Sequence, residues 1–174
     1  MSNNCIREEK TTMGRMCETL WRNKHLKHIE MDECEIGNQG GVAIGLALSR
    51  GSKLEYISVK KNEISDEGVT KIAASLDGSK CILRELYLNG NDINDAGGEL
   101  LARSMINNNT LQKLDLSYNN LKNTTCCVFI DILKRNQFLL TLNLEGNIIA
   151  SQFNQKIKEL LLKNGTKDAK YVNK

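Results

Sequence analysis

The sequence has few of the features that mark secreted, metal-binding or membrane-spanning proteins. Its six cysteines include no Cys-x-x-Cys pair and show no spacing typical of a disulfide framework or a zinc site. The opening residues, MSNNCIREEK, lack the apolar centre of a signal peptide, and no apolar run reaches the length of about 18 residues that a membrane span needs. We therefore expect a cytoplasmic protein with free thiols and no bound metal.

Catalytic signatures are scarce as well. The only two histidines, His25 and His28, have no serine, cysteine or aspartate at a spacing typical of a hydrolase triad. The Gly-Ser-Lys sequences at 51–53 and 78–80 lack the upstream glycine and the following Ser or Thr of a phosphate-binding loop. The sequence thus predicts a protein that is not an enzyme and binds no cofactor.

Neither sign of charge is in large excess. The chain carries 24 Lys and Arg residues against 21 Asp and Glu, a net charge of +3. So small an excess argues against nucleic acid or an anionic membrane as a partner. Much of it falls near the end of the chain, where we expect residues 167–174 to form a polar C-terminal tail. We therefore expect a protein as the partner. In isolation the chain is expected to be a monomer.

What the sequence does have is a repeat. Residues 83–93 read LRELYLNGNDI, and close variants of this frame begin at Leu26, Leu54, Leu83, Leu111 and Leu139, 28 or 29 residues apart. A fixed period of this size indicates a stack of similar coils. We expect one domain over residues 1–174, with an N-terminal cap at 1–25, repeats at 26–53, 54–82, 83–110, 111–138 and 139–166, and the tail.

Each repeat begins with a predicted strand. Apolar residues alternate there with polar ones, as in a half-buried strand, and strands that start successive coils in one direction form a parallel sheet. The chain then has to leave the strand, which frees backbone N–H and C=O groups that need partners. A residue at the ninth position of each repeat is expected to bond them, and this structural column consists of Cys34, Asn62, Asn91, Asn119 and Asn147.

The second half of each repeat is a predicted helix. Apolar residues recur there at i and i+4, as at Ile72 and Leu76. Asp66 and Asp95 stand at predicted helix N-termini, which favour a capping side chain or a negative charge. Gly or Asn follows each helix, at positions 23, 51, 78, 108, 136 and 164, and predicts a left-handed residue that ends it.

The N-terminal region is predicted to cover the open end of the stack. Residues 7–22 have a helical pattern, with Met13, Met16 and Leu20 on one stripe, and the same phase as the second half of a repeat. Trp21, the only tryptophan, follows that stripe. We expect its ring to shield the end of the core, and a partner contact by Trp21 is the alternative.

Frame, period, asparagine column and helix ends together resemble the leucine-rich repeats, in particular the ribonuclease-inhibitor-like subtype with 28- or 29-residue units. The resemblance covers about residues 10–166. It implies an α/β fold, a right-handed solenoid of horseshoe shape with a parallel β-sheet on the concave face and α-helices on the convex face. Five full repeats plus an N-terminal capping helix would form it.

The residues between the core leucines are expected to line the concave face and form the partner-binding site. Three of them are tyrosines, which suit interfaces, although strands favour tyrosine in any case. The face is acidic in the first repeat, basic in the second and mixed beyond, which favours a partner of mixed charge. The predicted binding residues are His28, Glu30, Asp32, Tyr56, Ser58, Lys60, Glu85, Tyr87, Asn89, Lys113, Asp115, Ser117, Tyr118, Asn143 and Glu145.

The sequence therefore predicts a non-catalytic protein–protein interaction module, a scaffold or adaptor that holds a protein on its concave face. One alternative is a small-GTPase regulator resembling the Ran GTPase-activating protein, although no repeat carries the long rim loop that this role would need. Inhibition of a basic ribonuclease is another, for which a net charge of +3 has the wrong sign. A pathogen effector or an immune-receptor fragment is the last.

Overall fold

A computed structural model describes the backbone of residues 3–165, and the side chains of residue 12 and residues 14–165. In this part of the chain, helices alternate with strands of three residues each. In chain order the elements are α1 (Asn3–Arg22), β1 (His28–Glu30), α2 (Gly37–Ser49), β2 (Tyr56–Ser58), α3 (Asp66–Leu76), β3 (Glu85–Tyr87), α4 (Asp95–Ser104), β4 (Lys113–Asp115), α5 (Asn123–Leu133), β5 (Thr141–Asn143) and α6 (Ser151–Gly165).

The strands form one parallel sheet in the order β1-β2-β3-β4-β5, so each coil lies beside its neighbours in sequence. The register is constant, and it aligns His28, Tyr56, Glu85, Lys113 and Thr141 across the sheet. Because a helix is about 10 Å wide and strands lie about 4.8 Å apart, the sheet takes the inside of the bend. The predicted α/β solenoid is confirmed.

The middle residue of each strand points into the core between sheet and helices. Ile57, Leu86 and Leu114 are essentially inaccessible to solvent. Leu142 in β5 is half-buried and packs against the same core. From the helices, Phe129 is the largest side chain that is fully buried. The predicted inward direction of the apolar strand residues therefore holds.

Helix N-termini are capped by the preceding coil. The Asp66 carboxylate, at the start of α3, accepts hydrogen bonds from the backbone N–H groups of Asn94 and Gly97 at 2.8 and 3.0 Å, at the start of α4. Asp95 in turn accepts one from the backbone N–H of Lys122 at 2.8 Å, where α5 begins. Asp66 and Asp95 therefore lie in the first turns of α3 and α4, as the sequence predicts, and each also caps the following helix, because the first helical side chain reaches along the stack.

Asp66 and Asp95 belong to a row of helix caps that reach from one coil to the next, which we call the cap ladder. Asparagines continue it at both ends. Asn38 in α2 accepts hydrogen bonds from the backbone N–H groups of Ser65 and Gly68, and so caps α3. Asn123 in α5 accepts one from the backbone N–H of Ala150, just before α6. Neighbouring helices are thus joined by polar bonds as well as by packing.

Helices end as the sequence predicts, but mostly by another mechanism. Gly51 alone among the six predicted helix ends has a left-handed backbone, with φ of +85°. The Asn108 oxygen instead accepts hydrogen bonds from the backbone N–H groups of Thr110 and Leu111, and its amide donates to the Leu76 carbonyl. Asn136 repeats these bonds one coil later. The left-handed prediction is therefore wrong at the other five positions, which are Asn23, Gly78, Asn108, Asn136 and Asn164. At Asn23, Asn108 and Asn136 the side chain closes the turn instead.

The capping helix α1 begins at Asn3, earlier than predicted, and covers the first coil. Cys17 and Leu20 are buried, and Met16 packs against the core. The Met13 side chain and residues 167–174, for which a core stripe and a polar tail are predicted, lie outside the described residues. Trp21 is half-buried, and its indole N–H donates to the Arg50 carbonyl at 2.9 Å, which fixes the end of α1 on α2.

Candidate interaction face

The strands position the predicted binding residues in three parallel columns. Alternation within a strand turns its first and third residues away from the core, and the constant register aligns them between coils. The columns are His28, Tyr56, Glu85, Lys113 and Thr141; Glu30, Ser58, Tyr87, Asp115 and Asn143; and, just after the strands, Asp32, Lys60, Asn89, Ser117 and Glu145.

Three aromatic side chains form a continuous ladder across β1, β2 and β3. The His28 and Tyr56 rings stack with centroids 3.8 Å apart and planes 6° from parallel. The Tyr56 and Tyr87 rings are tilted, with centroids 5.2 Å apart. Both geometries are favourable for aromatic pairs. His28 is exposed and the two tyrosines are half-buried, so the ladder offers a fixed apolar surface that is open to contact.

Charged groups surround this aromatic ladder. The Lys60 ammonium lies 5.2 Å from the centroid of the Tyr87 ring, within the range of a cation–π contact. The Tyr87 hydroxyl donates to the Glu85 carboxylate at 2.9 Å. Burial, with the Glu85 carboxylate beside it, raises the pKa of the Tyr87 hydroxyl. For Tyr56, burial and the nearby Glu30 raise the pKa in the same direction. Both hydroxyls therefore stay protonated and able to donate.

The opposite charges of neighbouring repeats meet in ion pairs. Asp32 and Lys60 lie 3.5 Å apart, and Glu85 and Lys113 lie 3.1 Å apart. The acidic first repeat and the basic second repeat, which the sequence distinguishes, thus largely neutralise each other. Exposed pairs of this kind contribute little to stability. They leave the face mixed in charge without a strong field of one sign.

Two of the predicted binding residues are inaccessible, which corrects the sequence-based assignment. Ser58 and Ser117 are 0% and 2% exposed. Their hydroxyls donate to Asp32 and Asp115, respectively, at 2.6 Å. Burial raises the pKa of Asp32, but the bonds from Ser58 and Lys60 outweigh it and hold that pKa below its usual value. These serines orient carboxylates and cannot touch a partner.

Tyr118 lies apart from the other two tyrosines. It follows β4 in the turn toward α5, has a left-handed backbone with φ of +52°, and is 61% exposed. Its ring lies against Gly146 of the next coil, where a Cβ would approach the ring to 2.5 Å. Tyr118 is therefore exposed but lies outside the contact between Tyr56 and Tyr87. The three tyrosines occupy different positions of the repeat, and only Tyr56 and Tyr87 meet.

The asparagine column lies beside this face and holds the coils together. The Asn91 oxygen accepts hydrogen bonds from the backbone N–H groups of Asn62 and Ile64, and its amide donates to the Val59 and Leu88 carbonyls. Asn62, Asn119 and Asn147 make equivalent bonds to their preceding coils.

Cys34 replaces asparagine where the column begins. It is exposed, and its thiol donates weakly to the Asp32 carbonyl at 3.2 Å. Its backbone N–H donates to the Asn62 side chain at 3.0 Å. The Cys34 thiol therefore satisfies one backbone carbonyl of its own turn, and no hydrogen bond from it to another coil is found among the described residues.

The described residues hold no group of three or more His, Cys, Asp or Glu side chains placed to bind a metal ion. Their cysteines, including Cys126 and Cys127, are free thiols. Burial raises the pKa of the Cys126 thiol to about 12, so it is not a nucleophile at neutral pH. None of the described helices combines the length and apolar character that crossing a bilayer requires.

The comparison with known families agrees with this geometry. A family model described as Leucine Rich repeat matches residues 22–45, 52–73, 79–102 and 107–124, just over half of the chain. The chain belongs to the leucine-rich-repeat family.

Three similar proteins illustrate the range of the leucine-rich-repeat family. NACHT, LRR and PYD domains-containing protein 14 of Homo sapiens is 24% identical over 151 residues, or 86% of this chain. The ribonuclease inhibitor of Sus scrofa is 24% identical over an alignment of 170 residues that covers 81% of this chain. RAN GTPase-activating protein 2 of Arabidopsis thaliana is 27% identical over 129 residues, or 73%. The chain spans only 14%, 37% and 24% of these relatives' lengths, respectively.

Two solved structures share the fold over nearly the whole chain. Actin-Binding Site 2 of leiomodin-1 has a TM-score of 0.75 at 20% identity and covers 93% of this chain and 90% of its own. The tropomodulin C-terminal domain of Caenorhabditis elegans has a TM-score of 0.74 at 14% identity, with 94% and 95% covered. At these identities the likeness concerns the fold alone.

Proposed function

We propose that this protein is a non-catalytic interaction module whose concave face holds a protein partner, with the His28–Tyr56–Tyr87 ladder as its anchor. The ladder is the observation that carries the proposal. Half-buried tyrosines held by stacking lose little conformational freedom on binding, and tyrosine is enriched among the residues that dominate interface energies. The ion pairs beside it would supply a polar rim.

The names of similar proteins are consistent with this role. One relative is a ribonuclease inhibitor, and the leiomodin-1 structure is an actin-binding site. Neither name identifies the partner of this chain, because repeat surfaces change their specificity with the side chains that line them. The free thiols fit a reducing compartment, and a cytoplasmic location is part of the proposal.

Regulation of a small GTPase is the second candidate, favoured by the similarity to RAN GTPase-activating protein 2. The turns that follow β1 to β5 are all short, and none forms the long rim loop that ordering a GTPase would need. Single-turnover GTP hydrolysis by a panel of small GTPases separates the two candidates. An accelerated rate would support the regulator, and an unchanged rate would exclude it for the enzymes tested.

A comparison of two variants tests the interaction module. The double variant Tyr56→Ala/Tyr87→Ala removes the anchor, whereas Tyr118→Ala removes an exposed tyrosine outside it. Each is used as bait in the source cell, with quantitative mass spectrometry of captured proteins. We expect the double variant to lose specific partners by at least about tenfold, as hot-spot residues do.

Tyr118→Ala should retain those partners. Both variants need folded-state checks by circular dichroism and urea unfolding, so that a loss of capture reports on the surface. Equal capture by wild type and the double variant would rule out the ladder as anchor.

A further inference from the structure

The turns that lead into the strands lie side by side along one edge of the solenoid. Each turn is hydrogen-bonded to the preceding one: the backbone N–H of Glu55 donates to the Lys27 carbonyl, that of Arg84 to Glu55, and that of Gln112 to Arg84, each at 2.8 Å. We call this surface the basic edge; it comprises residues 23–27, 50–55, 77–84, 105–112 and 134–140.

Charge is strongly segregated between the two edges of the sheet, which the net charge of +3 conceals. The basic edge carries eight Lys or Arg residues and two Asp or Glu residues. The opposite turns, which follow the strands at 31–36, 59–65, 88–94, 116–122 and 144–150, carry six Asp or Glu residues and three Lys. The turns therefore sum to a charge of +6 on the basic edge (8 − 2) and −3 on the opposite edge (3 − 6), and Lys27, Arg84 and Lys134 are paired with carboxylates.

Several cations of the basic edge are free to meet an external anion. Lys24, Lys53 and Lys80 are exposed, and none forms a salt bridge with a carboxylate of the described residues. Lys53 and Lys80 lie four residues beyond the ends of α2 and α3, so stabilisation of the helix dipole does not explain them.

Two cations of the basic edge lie close to the only tryptophan. The Arg50 guanidinium lies 5.3 Å and the Lys24 ammonium 6.0 Å from the Trp21 ring centroid. Lys80 of the next coil lies beside Gly51, since its Cβ is 3.8 Å from the position of a Cβ on that glycine. Trp21, half-buried at the end of α1, therefore reports on any molecule that binds here.

Large apolar side chains are exposed on the same edge. Ile106 is 61% exposed, Phe138 51% and Ile82 37%. Ile82 and Phe138 share their turns with Lys and Arg residues, whereas the turn of Ile106 has none of its own. An edge that combines aliphatic and aromatic side chains with Lys and Arg is typical of proteins that lie on a membrane surface.

We propose that the basic edge docks on an anionic lipid bilayer, with the cations at the headgroups and Ile82, Ile106 and Phe138 at the acyl boundary. The charge is complementary to the anionic headgroups of such a surface. The turns stand in one row, so they meet a plane together. The concave face points elsewhere and stays free, so a membrane and a protein partner can be held at once.

A polyanion in solution fits the basic edge less well. Nucleic acid binders stack bases on aromatic faces, whereas the Trp21 ring is flanked by cations and its N–H is used by Arg50. The exposed Ile82 and Ile106 have no counterpart on a phosphate backbone. The acidic opposite edge would also repel an anion that extended across the molecule.

Vesicle binding tests the proposal. The full chain is mixed with vesicles of phosphatidylcholine, alone or with about 30 mol% phosphatidylserine, and sedimented. We expect binding to the anionic vesicles only, weakened by salt at about 0.5 M, and quenching of Trp21 emission by brominated lipids. Lys53→Glu/Lys80→Glu should lower the partition coefficient at least about tenfold, and Phe138→Ser should lower it too.

Lys71→Glu/Lys158→Glu is the matched control. It makes the same charge change at two exposed positions in the middle of α3 and α6, and should bind like the wild type. The proposal is overturned if anionic vesicles are not bound, or if the control loses binding as the test variant does. It is equally overturned if a single-stranded oligonucleotide or polyglutamate binds tightly while Trp21 emission is unaffected by brominated lipids.

Discussion

Gly45 of α2 lies directly against the backbone of Lys71 in α3. A Cβ built on Gly45 would sit 2.4 Å from the Lys71 carbonyl carbon, far inside van der Waals contact. Alanine normally stabilises a helix by up to about 1 kcal/mol over glycine. Here we expect Gly45→Ala to lower the free energy of unfolding by about 1–3 kcal/mol, because backbone atoms must move apart. Urea unfolding followed by circular dichroism measures the change.

Gly14→Ala is the control for this prediction. A Cβ at this position of α1 would meet nothing within 4 Å. The substitution should raise the free energy of unfolding by about 0.5–1 kcal/mol, the helix-propensity gain alone. Equal effects of the two substitutions would mean that α2 and α3 do not approach as closely as the structure has them.

The asparagine column predicts a large cost for a buried amide. Asn91 is 5% exposed, and its amide serves two backbone donors and two backbone acceptors. Asn91→Ala should therefore lower the free energy of unfolding by about 2–4 kcal/mol, since several buried groups lose their partners. Asn120→Ala changes an exposed side chain nearby and should have little effect. Similar midpoints for both variants in urea would contradict the role of the column.

The cap ladder predicts an acid-sensitive contribution from Asp95. Burial raises the pKa of this carboxyl, but hydrogen bonds from Thr124, Thr125 and the Lys122 backbone outweigh it and hold the pKa below its usual value. A lowered folded-state pKa stabilises the fold above the unfolded value of about 3.9 and loses that contribution as the pH falls through the folded value.

The unfolding free energies of wild type and Asp95→Asn should therefore differ most near neutral pH, and the gap should narrow below about pH 4. Asp92→Asn, an exposed carboxylate without a side-chain hydrogen bond among the described residues, is the comparison and should show no such gap. A gap for Asp95→Asn that is constant from neutral to acid pH would count against the charge of Asp95 as the stabilising feature.

Adjacent residues of the third repeat should respond in opposite ways. Leu88 is fully buried, and Leu88→Ala should lower the free energy of unfolding by about 2–5 kcal/mol. Tyr87 is half-buried on the face, and Tyr87→Ala should cost only about 1 kcal/mol while weakening partner capture. A reversed order in urea unfolding would invert the assignment of inside and outside.

The architecture could be predicted from the sequence because its signals are periodic. Leu86 and Leu114 recur at one spacing, and a recurring core position needs only local alternation and a stack to be placed correctly. The asparagine column was predictable for the same reason. Its residues meet unpaired backbone groups at one point of every coil.

What the sequence could not place are contacts between coils that depend on side-chain direction. Asp66 stands at the start of α3, but the helix that its side chain caps is α4. The sequence does contain a signal for capping between coils, because residues one period apart are neighbours in the stack. The capping residues, Asn38, Asp66, Asp95 and Asn123, are spaced in this way. Ser58 has the position of a surface residue, and only the Asp32 carboxylate beside it explains its burial. The basic edge is not visible in the sequence because its eight cations are scattered over four turns.

The backward reach of the asparagines has a genetic consequence. Because Asn91 serves the coil of Asn62, and Asn119 the coil of Asn91, every unit offers its neighbour the same set of donors and acceptors. Excision or duplication of one 28- or 29-residue unit would rejoin matching partners at the splice. Loss of a single residue would instead displace every later partner. Genes for such a chain can therefore shorten or lengthen by whole units without needing a new hydrophobic interior.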